Sequence, residues 1–313
     1  MTATFRIGTR GSKLALWQAN TVAQLLEQRA RVHCEIVIIR TSGDESSGPP
    51  DPPVARSNVK GLFVKEIEDA LLNRDVDLAV HSSKDLSAVL PDGLAIAAVL
   101  PREDARDAVL LPNNERAADL DALKRRLGPA PRFGTSSVRR VAQLTTLFPA
   151  ATFAPIRGNV DTRIRKLDSG ACDAAVLASA GLKRLELAAR ISLALPIESC
   201  IPAPGQGIVS IEARNDRHDV GAALHAINDP DAMDALIAER AVVSALGGSC
   251  QMPLGAHARV GHDAVTMTGI VMSRDGRQAV RAEQRGSRKD SRAVGEALAR
   301  DLIAQGALQI LEA

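Results

Sequence analysis

The 313-residue sequence predicts an α/β fold of two lobes followed by a small α+β domain. Three observations carry this. First, a short strand-like segment is twice followed by a turn, a hydroxyl residue and a helical apolar pattern: residues 5–9 precede Ser12, and residues 132–134 precede Ser137. Second, the Gly- and Pro-rich stretch Ile201-Pro202-Ala203-Pro204-Gly205-Gln206-Gly207 reads as a crossover from the second lobe into the apolar run 208–211. Third, alternating segments over 257–283, with a turn at Asp275-Gly276, precede a last helix over 291–305.

In chain order, the helix over 12–29 has Leu14, Trp17, Val22, Leu25 and Leu26 as its apolar face. The turn before it holds Arg10 and Ser12, backbone N–H groups and a guanidinium aimed at one spot, which suits an anion. Residues 33–40 form a second strand. The span 41–60 is rich in Ser, Gly, Asp and Pro and reads as a lid loop, with Lys60 and Phe63 where it rejoins a helix over 62–72. A buried strand over 76–80 leads into His81-Ser82-Ser83-Lys84-Asp85. Ligands gather at the carboxyl ends of strands in α/β sheets, so Lys84 and Asp85 stand where site residues stand; a solvated loop ion pair is the plainer alternative.

The second lobe begins after Pro101-Arg102-Glu103-Asp104, with a strand over 107–111 and a helix over 117–126. Arg139 and Arg140 then fall in the first turn of the helix that Ser137 caps. Cations there oppose the helix dipole, so the pair calls for an anion. A strand over 152–156 ends in Arg157-Gly158-Asn159, with Arg163 beyond, and another over 173–177 leads into a helix bearing Lys183 and Arg184. The crossover returns the chain to the first lobe. A helix over 231–246 ends in Gly247-Gly248-Ser249-Cys250, where two glycines permit positive φ and Pro253 removes a backbone donor. That turn either presents a thiol or buries a small residue behind a helix cap.

Charge and composition narrow the function. The 39 basic residues are 31 arginines and 8 lysines, against 37 acidic ones, a net charge of +2 that argues against nucleic acid as partner. Arginine's planar fork suits carboxylates and phosphates. No apolar run spans a membrane and Met1 to Arg10 does not read as a signal peptide, which points to the cytoplasm. The four cysteines and six histidines show no metal spacing. Arg10, Lys84, Arg139 with Arg140, Arg157 with Arg163, and Arg184 all stand near strand ends or helix starts, which predicts a cleft for a polyanion containing one acid, Asp85, and one thiol. A non-catalytic binding module explains the cations but neither Asp85 nor the Cys250 turn. A thiol hydrolase needs a nearby base, and His257 is the near candidate in sequence.

The motifs ThrArgGlySer at 9–12, GlyLeuPheValLysGluIleGlu at 61–68, AlaValHisSerSerLysAsp at 79–85, GlyThrSerSerValArgArg at 134–140, ArgGlyAsnVal at 157–160, ProGlyGlnGly at 204–207 and GlyGlySerCys at 247–250 together resemble the porphobilinogen deaminase family. The resemblance runs from about Arg6 to Leu311. It implies two lobes related to type II periplasmic binding proteins (1–101 with 202–222, and 102–201) and a C-terminal domain over 223–313. It also implies a dipyrromethane cofactor in thioether linkage to Cys250. Porphobilinogen is then deaminated and added head to tail, releasing hydroxymethylbilane and ammonia, by a transferase expected to be monomeric. Asp85 and Lys84 would be catalytic. Arg10, Ser12, Thr135, Ser137, Arg139, Arg140, Arg157 and Gly158 would join them in holding the cofactor, and Arg10, Arg157, Arg163, Arg184, Gln206, Lys60 and Phe63 would hold substrate. No metal is implied. Ser42, Ser87, Met252 and the prolines over 49–53 depart from the family pattern, none of them at a position assigned to chemistry.

Overall fold

The computed structural model describes residues 4–41, 64–248 and 252–312. Cys250, Lys60, Phe63 and all but the first residue of the expected lid loop lie outside the described residues. The chain divides into two compact units, residues 1–102 with 208–233, and residues 103–207 with 234–313.

Strand β1 (Thr4–Thr9) leads through Arg10-Gly11-Ser12 into α1 (Lys13–Ala30), capped where Ser12 Oγ accepts the Ala15 N–H at 3.2 Å. Then follow β2 (His33–Ile38), α2 (Lys65–Leu72), β3 (Leu78–Ser82) and β4 (Leu94–Val99). The strand expected over 76–80 is therefore shifted by two residues, which makes His81 and Ser82 part of it. The second unit opens with β5 (Asp107–Leu110), α3 (Leu120–Leu127), β6 (Arg132–Gly134), α4 (Val138–Leu147) and β7 (Thr152–Ala154). It continues with α5 (Val160–Asp168), β8 (Ala174–Ala178), α6 (Ser179–Arg184) and β9 (Leu193–Ala194). Helix α3 starts three residues later than its pattern predicts because Asp119 takes the cap, accepting the Ala122 N–H at 2.7 Å.

After the crossover, β10 (Val209–Arg214) and α7 (His218–His225) belong to the first unit. The remainder is α8 (Pro230–Ala245), β11 (Leu254–Val260), β12 (Ala264–Met272), β13 (Ala279–Ser287), α9 (Ser291–Ala304) and α10 (Ala307–Glu312). The last three strands form an antiparallel sheet in sequence order, with a turn at Gly276 (φ +73°).

Both α/β sheets repeat one topology. The first runs β2-β1-β3-β10-β4 and the second β7-β6-β8-β5-β9. In each, three neighbouring strands are parallel, and the fourth is antiparallel to both of its neighbours. That fourth strand is β10 in one and β5 in the other, each the first strand after a crossover. The prediction that residues 208–211 return the chain to the first lobe is thus met.

One face of the first sheet packs Ile7, Leu78, Val80, Val209 and Ile211 on Val22 and Leu26 of α1. The opposite face packs Ala79 and Val76 on Ile67 and Leu71 of α2. In the second sheet the approach of strand and loop is close: a Cβ on Gly134 would stand 2.6 Å from Cys172 Sγ.

Candidate active site

In the first unit a cavity of about 90 Å³ has Arg10, Ser12, Gln18, His81, Ser82 and Asp85 among its lining residues. The β1–α1 turn supplies Arg10 and Ser12. Asp85 comes from a single 3₁₀ turn, Ser83–Asp85, at the carboxyl end of β3. That turn is clamped by β10: Ser83 N and Ser83 Oγ both donate to Ile208 O at 3.0 Å, and Ser83 Oγ stands 2.6 Å from Ser210 Oγ. From the other side Gln18 Nε2 donates to Ser82 Oγ at 2.9 Å. The half-buried Lys84 and Asp85 therefore sit on a turn with little freedom.

In the second unit the anion that Arg139 and Arg140 call for belongs to the protein itself. Asp107, fully buried at the start of β5, accepts Arg139 Nη1 at 2.7 Å and Arg140 Nε and Nη2 at 2.9 and 2.7 Å. Arg140 Nη1 goes to Val176 O and Arg139 Nη1 also to Ile201 O. Burial alone would push the Asp107 carboxyl up, but the two guanidinium charges and the bonds from Arg139 and Gln206 outweigh it and hold it far below the usual carboxylate range. Gln206 Nε2, expected to face substrate, donates to Asp107 Oδ1 at 3.0 Å and to Ala105 O at 2.6 Å. No local pattern marks Asp107, since its partners lie 32 to 99 residues away.

Thr135 is buried, with Oγ1 accepting the Ser137 N–H at 3.2 Å, and Ser137 caps α4. Arg157 is exposed beside Gly158 (φ +104°), and Arg163 Nε folds back onto Gly158 O at 2.8 Å. Arg184 is 9% exposed and donates from Nη2 to Gly207 O at 2.7 Å. Burial pulls its guanidinium down to about 10, with Glu103 opposing, so it keeps its charge at neutral pH. The structure thus brings Arg10, Ser12 and Asp85 to one cavity, gathers Arg139, Arg140 and Gln206 around Asp107, and leaves Arg157 and Gly158 on the β7–α5 loop, with Arg163 of α5 bonded back to it. His81 and Gln18, unassigned by the sequence, line the cavity with Asp85.

Burial raises each described cysteine. Cys200, hemmed in by Asp107, is pushed up to about 12 and Cys34, near Glu27, to about 11; Cys172 also rises, through burial and Asp173. These thiols are poor nucleophiles at neutral pH.

A carboxylate, a guanidinium and hydroxyls gathered in one small cavity at strand ends of an α/β unit suit a small ligand that carries both acidic and hydrogen-bond-donor groups. Comparison with known proteins sharpens this. Residues 5–222 match the family model described as "Porphobilinogen deaminase, dipyromethane cofactor binding domain", and residues 233–304 match "Porphobilinogen deaminase, C-terminal domain". The porphobilinogen deaminase of Syntrophobacter fumaroxidans is 44% identical over 98% of this chain and 96% of its own. That of Acidithiobacillus ferrooxidans is 45% identical over 100% and 98%. Among solved structures, the chain aligns with the Bordetella pertussis BvgS VFT2 domain (14% identity, TM-score 0.44, 72% of this chain and 86% of that one). It also aligns with a substrate-binding protein of an amino acid ABC transporter (13%, TM-score 0.37, 72% and 92%).

The chain belongs to the porphobilinogen deaminase family. Its activity is that of a hydroxymethylbilane synthase in tetrapyrrole biosynthesis, and it contains a dipyrromethane cofactor-binding domain. No helix among the described residues is long and apolar enough to cross a membrane.

Proposed function

We propose that this chain deaminates and joins porphobilinogen at the Asp85 cavity, on a dipyrromethane attached at Cys250, as a monomer in the cytoplasm. The observation that carries the site assignment is the clamped Ser83–Asp85 turn, which holds one carboxylate beside Arg10 and Ser12. The donor set fits the group: acetate and propionate arms call for cations and hydroxyls, and pyrrole N–H groups call for a carboxylate. Arg10, Ser12, Lys84, Asp85, Thr135, Ser137, Arg139, Arg140, Arg157 and Gly158 would hold the cofactor. Arg163, Arg184, Gln206, Lys60 and Phe63 would join Arg10 and Arg157 in holding substrate. When bound, the dipyrromethane supplies the pyrrole carbon to which substrate units are joined.

Asp85 acts on the pyrrole N–H groups and on the positive charge that develops as ammonia departs. A fixed carboxylate there lowers the barrier because its solvent reorganisation was met during folding. Lys84 and the arginines receive carboxylates, each charge-assisted bond contributing about 1.5–3 kcal/mol. In the second unit Asp107 fixes where Arg139 and Arg140 stand, so the geometry of both guanidiniums is preset before any ligand arrives. The raised thiols of Cys34, Cys172 and Cys200 support Cys250 as the attachment point. The division into lobes at 1–101 with 202–222 and 102–201, and a cysteine-bearing domain at 223–313, is part of this reading.

The test is intact mass of the protein purified without added ligand, with peptide mapping. We expect an excess of two linked pyrrole units on the Cys250 peptide, lost in Cys250→Ala. An adduct on another cysteine, or none after incubation with porphobilinogen, would overturn the attachment site.

A further inference from the structure

A buried polar cluster backs the Asp85 cavity and has no task in the chemistry described above. On the α2 side of the first sheet, the register sets Ser210 opposite His81 and Glu212 opposite Ala79, so His81 and Glu212 share one face. Their side chains, 4% and 0% exposed, approach to 3.2 Å between Nε2 and Oε2. Glu68 on α2, 8% exposed, is near enough for the charges of Glu212 and His81 to act on its carboxyl. Among the described residues, neither Glu212 oxygen, nor His81 Nε2, nor Glu68 Oε1 has a hydrogen-bond partner. Four buried polar atoms without such partners, on three side chains that can share protons, are a costly arrangement for a fold to keep.

The neighbouring charged groups do not relieve it. Arg214, two residues beyond Glu212 on the same face of β10, donates from Nη1 to Leu71 O at 2.7 Å and from Nε to Asp216 at 3.1 Å. Asp69 on α2 is exposed and pairs with Lys65. Ser210 is taken by Ser83. Arg10 and Asp85 lie with His81 on the cavity lining, and Lys84 precedes Asp85 on the turn. The cluster must therefore balance its own charge. It is neutral with an imidazolium, one carboxylate and one carboxylic acid; loss of one more proton leaves a net negative charge inside the unit. The Glu68 carboxyl is pushed up to about 7, by burial first and the Glu212 charge second, while His81 pulls it down.

We propose that His81, Glu212 and Glu68 are one proton-sharing unit that sets the potential in the Asp85 cavity, so that these three positioning residues govern how the enzyme's substrate affinity depends on pH. The inference rests on the reading that Asp85 is at the reaction centre. His81 couples the cluster to the cavity because it borders both. Deprotonation of the unit adds negative charge behind the cavity and opposes a substrate that bears carboxylates. The effect therefore falls on KM above neutrality, and less on kcat.

Two measurements test this on the holoenzyme. In wild type carrying ¹⁵N-imidazole histidine and ¹³C-carboxyl glutamate, NMR titration is expected to show one apparent midpoint shared by His81 and a glutamate carboxyl, as coupled groups do. A His81 resonance that titrates apart from every glutamate, with both carboxyls ionised below pH 5, overturns the proposal. In kinetics, KM for porphobilinogen is expected to rise roughly tenfold from pH 6 to 8.5 in wild type and less than twofold in Glu68→Gln, the change that follows from one full unit of pKa coupling. Parallel KM profiles in the two enzymes overturn it as well. Asp85→Asn separates the underlying reading: full turnover in that variant, with the shared midpoint intact, supports the proton-sharing unit and overturns its link to the reaction centre.

Discussion

Asp107 is where a single carboxylate decides the most. It sits at zero exposure between two guanidiniums, and among the described residues neither cation bonds another carboxylate. Removing one partner of a buried ion pair leaves the others uncompensated, at about 3–5 kcal/mol. Asp107→Ala should lower unfolding stability by that amount in urea, and a loss below 1 kcal/mol would mean the pair is hydrated. The pH sign follows from its depressed pKa. The stabilisation is present above the ordinary carboxylate value of about 4 and is lost as pH falls below it. Asp107→Asn should therefore flatten the acid side of a melting-temperature profile. Asp85 stands in contrast, on a turn whose fixed contacts are made by Ser83. Asp85→Asn should leave melting unchanged and cut turnover on the order of 10²-fold or more; steady-state rates close to wild type would sink the role given to it.

Elements here are joined by backbone groups that charged or absent side chains accommodate. Glu239 of α8, fully buried, accepts the Gly205 N–H at 2.6 Å and the Ala258 N–H at 2.7 Å, so one carboxylate ties the helix to the crossover and to β11. Helix α9 approaches α8 at Gly295, where a Cβ would fall on the Ala238 carbonyl oxygen. Gly295→Ala should cost about 1–3 kcal/mol through overpacking, read by chemical denaturation. On the first sheet, α2 carries a pH dependence of its own through Glu68. A carboxyl whose folded pKa is raised contributes stability that is present below its unfolded value and lost as pH rises through about 7. Melting temperature should therefore decline between about pH 4.5 and 7 in wild type and decline less in Glu68→Gln; identical slopes would show that Glu68 ionises as an ordinary surface acid.

For the molecule as a whole, the two α/β sheets share an order in which the fourth strand runs against its neighbours and follows a crossover of the chain. The second sheet lies within one continuous stretch, residues 107–194, but the first does not. Residues 208–233 must return before the first unit is whole. Truncation at residue 207 should therefore leave the Ser83 turn without Ile208 and Ser210, and with it the clamp on Asp85. Because such a chain also lacks Cys250, the readout is stability: its first unit should lose the cooperative urea transition of the full chain, even where residues 1–102 keep helical signal.

The sequence by itself determined the α/β class, the order of elements, the return of the chain at 208–211, the hydroxyl caps at Ser12 and Ser137, and the family. These are local matters: periodicity, turn chemistry and contiguous motifs are written within a few residues of where they act. It also marked Arg139 and Arg140 as needing an anion, because dipole opposition is local too. Only the tertiary structure decided which anion. Asp107, Glu212 and Glu239 take their meaning from partners tens of residues away, and a buried carboxylate reads in sequence like a solvated one. The two-residue shift of β3 had the same origin: His81 and Ser82 are polar by type, but pairing with β10 made them strand. Burial and strand pairing are settled by long-range contacts, which is why the residues that position the candidate site became visible only once the chain was folded.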